Sequence, residues 1–345
     1  MAANFDFQKR LGAGYFGEVW LAVDTGLSTN RALKLIPPDR VIDPNNFFRE
    51  AQLLKAAEHP NIVRVEETGV LQDGRIYIAM EFLEKGSLDD EARGAYVLLT
   101  RAKRIMIDVL RGLEYAHSKS IIHRDIKPAN ILIGDSLEGK LSDFGLAIAP
   151  NLRIGTGKAE YYNYVLHQAP EIIFHPNFSI ASDIYACGVT LYRLVNGDSY
   201  LVALPNDLLL DQIMKGKFPN RLKYREFIPR NLKAIINRAL SIKPEERYQT
   251  AKEMRHALEK IEFFMNWQEQ LFSNRIKWIG SWNHRCYEVE RGKLSSNRWY
   301  VKVSKGKSKQ LLRQLTKHCY NELNKSNAEK VTKRILQDFV LGKIY

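Results

Sequence analysis

Alternating hydrophobic and polar positions open the chain and predict two β-strands joined by a glycine-rich turn. Residues 5–7 (FDF) alternate before the turn, and residues 19–23 (VWLAV) are rich in residue types that favour strands. Between them lie three glycines, Gly12, Gly14 and Gly17. A G-x-G-x-x-G run between a strand and a helix would indicate a dinucleotide fold, whereas a strand on each side predicts a hairpin.

Further periodic segments continue after this hairpin. Residues 31–36 (RALKLI) and 76–80 (IYIAM) have the length and composition of short strands. Apolar positions at helical spacing predict a helix over residues 47–54, and another helix ends near His117. The last helical segment of this part ends near residues 260–261, so strands and helices are mixed up to that point.

The final 80 residues have a pattern of their own. Two alternating segments, residues 287–290 and 299–303, predict strands joined across residues 292–297. A helix is predicted next. Its apolar face comprises Leu311, Leu312, Leu315, Cys319 and Leu323. A second helix closes the chain, which gives a β-β-α order followed by one more helix. The apolar face of that helix comprises Val331, Ile335 and Phe339.

The overall composition is that of a globular protein. With 345 residues, 45% hydrophobic and 26% charged, the chain can form one large two-lobed domain or two to three smaller ones. Its cysteines, Cys187, Cys286 and Cys319, are too widely spaced for a disulfide framework or a metal site, which fits a reducing compartment. The sequence lacks a signal-peptide pattern and a run of about 18 apolar residues, so we expect a cytoplasmic protein without a membrane partner.

Positive charge is concentrated at the end of the chain. Residues 1–265 contain 35 Lys and Arg against 33 Asp and Glu, whereas residues 266–345 contain 17 against 6. Four of the five tryptophans also lie in the final segment, so we expect it to fold. This shift predicts a basic accessory domain over residues 263–345. Such a domain could bind nucleic acid; a solvated basic surface and docking on the preceding domain are the alternatives.

The run HRDIKPAN at residues 123–130, followed by DFG at residues 143–145, collects the groups that phosphoryl transfer requires. That reaction needs charge around a nucleotide, one or two Mg²⁺ ions and an attacking hydroxyl. The candidate proton acceptor, phosphate-facing cation and two Mg²⁺ ligands are Asp125, Lys127, Asn130 and Asp143. These two runs resemble the catalytic and metal loops of the eukaryotic-type (Hanks-type) serine/threonine protein kinases. In that family, the lysine at position 127 marks the Ser/Thr branch.

The resemblance covers about residues 5–262. It implies an α+β, two-lobed protein-kinase fold, with a β-rich N-lobe (1–80) that contains one key helix, a hinge (81–88) and a mainly helical C-lobe (89–262). The basic segment 263–345 would be a small additional α+β domain.

The resemblance also implies a nucleotide site between the lobes. Lys34 would contact the α- and β-phosphates and would be held by Glu50, for which a solvated helix face or a pair with Lys55 are the alternatives. The backbone of Glu81 and Leu83 would hydrogen-bond the adenine base. Phosphate-facing glycines would be Gly12, Gly14 and Gly17. Side chains around the adenine would be Val19, Ala32, Met80 and Leu132.

An activation segment is implied from Asp143 to Glu171. Glu171 would pair with Arg247, and Asp183 would bind the backbone of the catalytic loop, both as architecture. Thr156 is the best-placed phosphorylation site, facing the pocket cation Arg124, with an unmodified loop hydroxyl as the alternative.

The segment departs from the family at Tyr164, where a threonine normally contacts the catalytic residues. Substrate preference therefore cannot be transferred from the family. Tyr161, Tyr162 and Tyr164 are candidates either for phosphorylation or for packing.

The implied reaction is transfer of the γ-phosphoryl group of ATP, with Mg²⁺ or alternatively Mn²⁺, to Ser/Thr hydroxyls of a protein substrate. One alternative is a nucleotide-binding pseudokinase, which is disfavoured because no member of the catalytic set is missing. That set is Lys34, Glu50, Asp125, Asn130 and Asp143. A second alternative is a nucleic-acid sensor with the kinase as its output, because the β-β-α order resembles double-stranded RNA-binding domains in shape.

Overall fold

The computed structural model of the protein describes residues 5–14, 17–38, 55, 58–144, 165–174, 177–201, 204–295 and 297–344. The strands are β1 Phe5–Gly14, β2 Gly17–Asp24, β3 Thr29–Ile36, β4 Val65–Val70, β5 Ile76–Glu81, β6 Ile131–Ile133, β7 Gly139–Leu141, β8 Asn266–Leu271, β9 Arg275–Trp282, β10 Arg285–Lys293, β11 Trp299–Gly306, β12 Leu312–Gln314 and β13 Tyr320–Leu323. The helices are α1 Leu88–Ala92, α2 Leu99–Ser118, α3 Pro170–Phe174, α4 Ile180–Asn196, α5 Asn206–Met214, α6 Arg230–Ala239, α7 Ala251–Glu259 and α8 Lys325–Val340.

The first five strands form an antiparallel sheet in the order β1-β2-β3-β5-β4. β1 and β2 pair directly, with Gly14 opposite Gly17, so the predicted strand–turn–strand arrangement around the glycines is confirmed. In the centre of the sheet, β3 lies beside β5 and places Ala32 opposite Met80. The sheet thereby brings the glycine-rich hairpin and β3 to the edge of the helical part.

Two long helices organise the part that follows. Helix α2 is amphipathic and buries one face, including Ile105, Val109 and Leu113. Helix α4 is buried along almost its whole length, as expected for a central helix that is apolar on all sides. It begins at Ser179, whose hydroxyl accepts a hydrogen bond from the Ser182 amide and so satisfies one free N–H of the first turn.

The C-terminal segment is an antiparallel sheet covered by helix α8. Its strand order is β12-β11-β10-β9-β8. The short strand β13 pairs with the beginning of β11, whereas β12 pairs with its end. The predicted strands around Val289 and Val303 are confirmed, since these two residues face each other across β10 and β11. The closing helix is also confirmed as α8.

The helix predicted around residues 311–323 is wrong, and with it the β-β-α order. Residues 312–314 and 320–323 instead form β12 and β13 on opposite parts of β11. Pairing with β11 satisfies backbone groups that a helix would have satisfied locally. The apolar spacing of such short segments cannot distinguish an edge strand from a helix.

One continuous hydrophobic core joins this C-terminal sheet to the helical lobe. The fully buried Trp267 and Trp278 belong to the same cluster as the interiors of α2 and α4. Across the junction, the Tyr96 hydroxyl donates to the Trp267 carbonyl oxygen (2.8 Å) and accepts from the Glu269 amide (2.8 Å). Within the described ranges, none of the helices combines the length and apolar character that a bilayer crossing requires.

Two ion pairs join the helical lobe to the C-terminal sheet; the C-terminal sheet supplies the cation of one pair, and the helical lobe supplies the cation of the other. The Arg291 guanidinium donates to both carboxylate oxygens of Glu226, at 2.7 and 2.8 Å. In the opposite sense, Arg225 of the helical lobe pairs with Glu269 and stacks on the Tyr96 ring, 4.2 Å from its centroid. The basic segment is therefore docked on the preceding domain, which was one of the alternatives for it.

Candidate active site

The catalytic-loop residues converge on one carboxylate oxygen. Lys127 Nζ and Asn130 Nδ2 both lie 2.8 Å from Asp125 Oδ2, and Asn130 Nδ2 also donates to the Asp125 carbonyl oxygen at 2.8 Å. Asn130 is positioned by a short 3₁₀ turn, Pro128–Asn130, which starts at a proline as helical first turns commonly do. These contacts leave Asp125 Oδ1 as the oxygen that could accept a proton from a substrate.

A residue of helix α4 hydrogen-bonds the backbone of the catalytic loop. Asp183, fully buried on α4, accepts hydrogen bonds from the backbone amides of His123 and Arg124, each at 2.9 Å. Arg124 has a φ of 73°, in the left-handed region that costs a non-glycine residue about 1–3 kcal/mol. The expected structural role of Asp183 is confirmed, and its carboxylate stabilises the unusual conformation beside Asp125.

A further contact of Asp183 had no signal in the sequence. His117 Nε2 lies 2.9 Å from Asp183 Oδ2, which ties the end of α2 to the same carboxylate. A lone histidine at the end of a predicted helix is compatible with many environments. Only the packing of α2 against α4 identifies it as a positioning residue.

Lys34 and Asp143 form an ion pair between the two lobes. Lys34 Nζ lies 2.8 Å from Asp143 Oδ1, so β3 and the DFG segment meet at this point. Burial opposes ionisation of Asp143, but the adjacent ammonium of Lys34 outweighs it and keeps the pKa of that carboxyl below its ordinary value. A carboxylate that remains ionised at neutral pH is suited to hold a cation.

His123 and Phe144 pack in the core beneath these groups. Their rings are 4.4 Å apart between centroids, and both side chains are buried. Burial lowers the pKa of His123, which keeps the imidazole neutral at pH 7. Both residues are therefore part of the structural core beneath the site.

The residues present fit a magnesium–nucleotide complex better than a metal bound by protein alone. Among the described residues, no group of three or more His, Cys, Asp and Glu side chains could hold a metal ion. Mg²⁺ is commonly held by one or two protein ligands together with substrate phosphates and water. Asn130 uses its amide nitrogen on Asp125, so its side-chain oxygen is the atom left for a cation, and Asp143 offers a second carboxylate oxygen.

The space available for a side chain differs between the glycines of the hairpin. Gly17 has a φ of +126°, and a Cβ there would lie 1.9 Å from the Leu35 carbonyl oxygen, so only glycine fits. A Cβ at Gly12 would meet nothing within 4 Å. Gly17 is therefore required by the backbone of the hairpin, whereas at Gly12 the absent side chain leaves open space.

Two of the predicted adenine-pocket residues are neighbours in the sheet, and three more are partly buried against the extended core. Ala32 and Met80 are buried opposite each other in β3 and β5, and Val19, Leu83 and Leu132 are partly buried against the same cluster. Lys34, Met80 and Asp143 line one small cavity.

The hinge has a constraint that the sequence did not reveal. The backbone amide of Glu81 donates to the Arg64 carbonyl oxygen at 3.0 Å, so it is not available to a base. The Glu81 carboxylate accepts from Lys140 Nζ at 2.8 and 3.1 Å, which ties the hinge to β7. Any hydrogen bond from the Glu81 backbone to adenine would have to use its carbonyl oxygen.

The closing part of the activation segment is anchored as expected. Arg247 is fully buried and donates to both carboxylate oxygens of Glu171 at 2.7 Å, which confirms this structural pair. One prediction for the N-lobe and several for the activation segment fall on residues outside the described ranges and remain predictions. They concern Glu50, Thr156, Tyr161, Tyr162 and Tyr164.

Comparison with known proteins finds relatives over the same part of the chain. The protein kinase domain family matches residues 5–258. The serine/threonine-protein kinase PknJ of Mycobacterium tuberculosis is 32% identical over 266 residues, 74% of this chain and 45% of the relative. PknB of Mycobacterium leprae is 33% identical over 271 residues, 76% of this chain and 43% of the relative. The chain spans a little under half the length of these curated relatives.

Proposed function

Because this chain belongs to the protein kinase family, of the Hanks type, we propose that it is an ATP- and Mg²⁺-dependent serine/threonine protein kinase. The observation that carries the proposal is the convergence of Lys127 and Asn130 on Asp125 Oδ2, next to the Lys34–Asp143 pair. Phosphoryl transfer depends mainly on such positioning and charge, with little covalent chemistry from the protein. The substrate is proposed to be a Ser or Thr hydroxyl of a protein, for which the relatives' names are the support.

Each residue of the cluster has a role that follows from its contacts. Asp125 would accept the proton of the attacking hydroxyl through Oδ1, because Oδ2 is already hydrogen-bonded twice. Lys127 would hold Asp125 in place and face the transferred group. Lys34 would bind the α- and β-phosphates, and the side-chain oxygens of Asn130 and Asp143 would hold Mg²⁺. When bound, Mg²⁺ neutralises charge on the phosphate oxygens.

Control by the activation segment belongs to the same proposal. Arg124 is fixed beside Asp125 by its backbone contact with Asp183. A phosphate on Thr156 would place negative charge where this guanidinium could bind it and order the segment. We also propose that the C-terminal domain influences the kinase, since it contacts Tyr96 and Thr100 at the start of the α2 region.

Incubation with γ-labelled ATP and Mg²⁺ tests the proposed activity. We expect the wild-type chain to label itself or a generic Ser/Thr substrate. Asp125→Asn should reduce the rate by about 10²–10⁴-fold, the range for losing a general base. Asp135→Asn is the matched control, because this aspartate lies on the exposed loop after β6 with a side chain 96% exposed. Absence of labelling by both wild type and Asp125→Asn would refute the proposal and favour a nucleotide-binding pseudokinase.

A further inference from the structure

A cleft of about 780 Å³ lies between helix α6 of the helical lobe and helix α8 at the end of the chain. Its walls combine residues from both parts of the molecule, and none of them belongs to the candidate active site. The cations that line it are Arg230, Lys330, Lys333, Arg334 and Lys343. Asp338 is the one carboxylate in its lining.

These positive charges are poorly compensated within the protein. Among the described residues, Arg230, Lys330 and Lys333 form no salt bridge, and Lys343 approaches Asp338 only to 3.9 Å. Arg334 donates a hydrogen bond to an uncharged partner, the Tyr320 hydroxyl, at 3.3 Å. Five cations and one carboxylate thus line the cleft.

Lys233 lies on α6, and its pKa is affected by two of these cations. Its pKa is lowered to about 8, first because the amine is partly buried and then because Lys333 and Arg230 repel a further positive charge. Glu226, which favours the charged form of Lys233, is already hydrogen-bonded to Arg291 through both carboxylate oxygens. The cations that line the cleft repel one another, and a bound anion would reduce this repulsion.

We propose that this cleft binds a compact anion that carries two or more phosphate groups. The volume lies in the range of small-ligand pockets, about 300–1,000 Å³. Guanidinium groups bind phosphate oxygens in pairs, and lysines add point charges around them. Because one wall is α6 and the other is α8, a bound anion contacts both the helical lobe and the C-terminal domain and stabilises their association.

A nucleic-acid backbone fits the observations less well. Proteins that bind such a backbone use an extended groove or stripe of cations. Here the cations surround one cleft between two helices. Other lysines of the basic segment, such as Lys307 and Lys309, follow the end of β11 and lie outside the lining of the cleft.

Calorimetric titration of the full chain with sodium tripolyphosphate, in EDTA and at low salt, tests this proposal. We expect saturable binding that weakens as salt rises. Lys333→Gln/Arg334→Gln should weaken the affinity about tenfold or more, which corresponds to at least ~1.4 kcal/mol. Lys307→Gln/Lys309→Gln removes the same charge from exposed positions of the same domain, and we expect its affinity to stay within about twofold of wild type.

Three outcomes would overturn the proposal. The first is no binding by wild type, or equal weakening in the two double variants. The second is loss of binding in Lys34→Met with no loss in Lys333→Gln/Arg334→Gln, which would place the anion in the nucleotide site. The third is tighter binding of a 20-nucleotide RNA than of tripolyphosphate, with equal sensitivity to all four lysine and arginine positions, which would identify a nucleic-acid surface. Because the readout is binding, failure of phosphoryl transfer would not affect this test.

Discussion

Replacing Arg291 by alanine should destabilise the junction between the helical lobe and the C-terminal domain. The Arg291 side chain is only 6% exposed and is bidentate on Glu226, which is 27% exposed. Removing one partner of a buried pair costs about 3–5 kcal/mol because the other charge is left without compensation. Since Glu226 can recover part of its hydration, we expect a loss of about 2–3 kcal/mol in the free energy of unfolding.

The pH dependence of this loss follows from Glu226. Burial raises the pKa of its carboxyl above the ordinary value, although Arg291 opposes this. A raised folded-state pKa means that the ionised carboxylate opposes folding above that pKa, and that the opposition disappears as pH falls through it. Without Arg291 the pKa rises further, so the difference between variant and wild type should be largest near neutral pH and shrink in acid.

Urea unfolding, followed by tryptophan fluorescence, measures both effects, because four of the five tryptophans lie in the C-terminal domain. Arg298→Ala is the matched control: its pair with Glu322 has side chains 63% and 67% exposed, so we expect a change below about 1 kcal/mol. Equal, small effects of Arg291→Ala and Arg298→Ala would refute the view that a buried ion pair holds the junction.

Three other substitutions test the site and its supports. Gly17→Ala should destabilise the N-lobe by about 2 kcal/mol or more in thermal unfolding, because its Cβ meets the Leu35 carbonyl oxygen, whereas Gly12→Ala should change stability little; equal effects would contradict the hairpin geometry. Glu171→Ala should cost about 3 kcal/mol by leaving the buried Arg247 without its carboxylate, and an unchanged melting temperature would argue against this pair. Lys34→Met should destabilise the protein most at neutral pH, and the difference should disappear as Asp143 becomes protonated below about pH 4; a pH-independent difference would rule out the Lys34–Asp143 ion pair as its cause.

Part of the geometry of the candidate site is local. Asp125, Lys127 and Asn130 lie within six positions of one another, and the short 3₁₀ turn Pro128–Asn130 brings Asn130 back to Asp125. The backbone of the same loop depends on a distant residue, Asp183. The pairing of Lys34 with Asp143 joins residues 109 positions apart and was not predicted from the sequence. The pair of Glu171 and Arg247 was predicted, but only through the resemblance to a family.

The C-terminal domain shows where such patterns fail. Leu311, Leu315 and Leu323 share a helical face in the sequence, yet Leu311 is 67% exposed and the surrounding residues pair with β11. The strands β8 and β9 were not predicted at all. In the structure Trp278 and Gly280 are buried at alternate positions of β9, which pairs with its sequence neighbours β8 and β10 in two hairpins.

The junction itself could not be predicted, because its contacts depend on two surfaces that the sequence places far apart. A shift in net charge indicated where a new segment begins, after residue 262. It did not indicate that Trp267 and Trp278 would join the core of the helical lobe, or that Arg225 and Arg291 would form pairs in opposite directions across it. The boundary at residues 262–263 stays a prediction.

The central claim is that the cluster around Asp125 transfers phosphoryl groups to Ser and Thr. Mass spectrometry of the phosphatase-treated full chain after incubation with ATP and Mg²⁺ tests it most directly, with Asp125→Asn incubated in parallel. We expect new phosphate on Ser and Thr of the wild-type chain, with Thr156 among the modified positions, and none above background in Asp125→Asn. No new phosphate on the wild type or on an added substrate, or the same sites in both proteins, would contradict it.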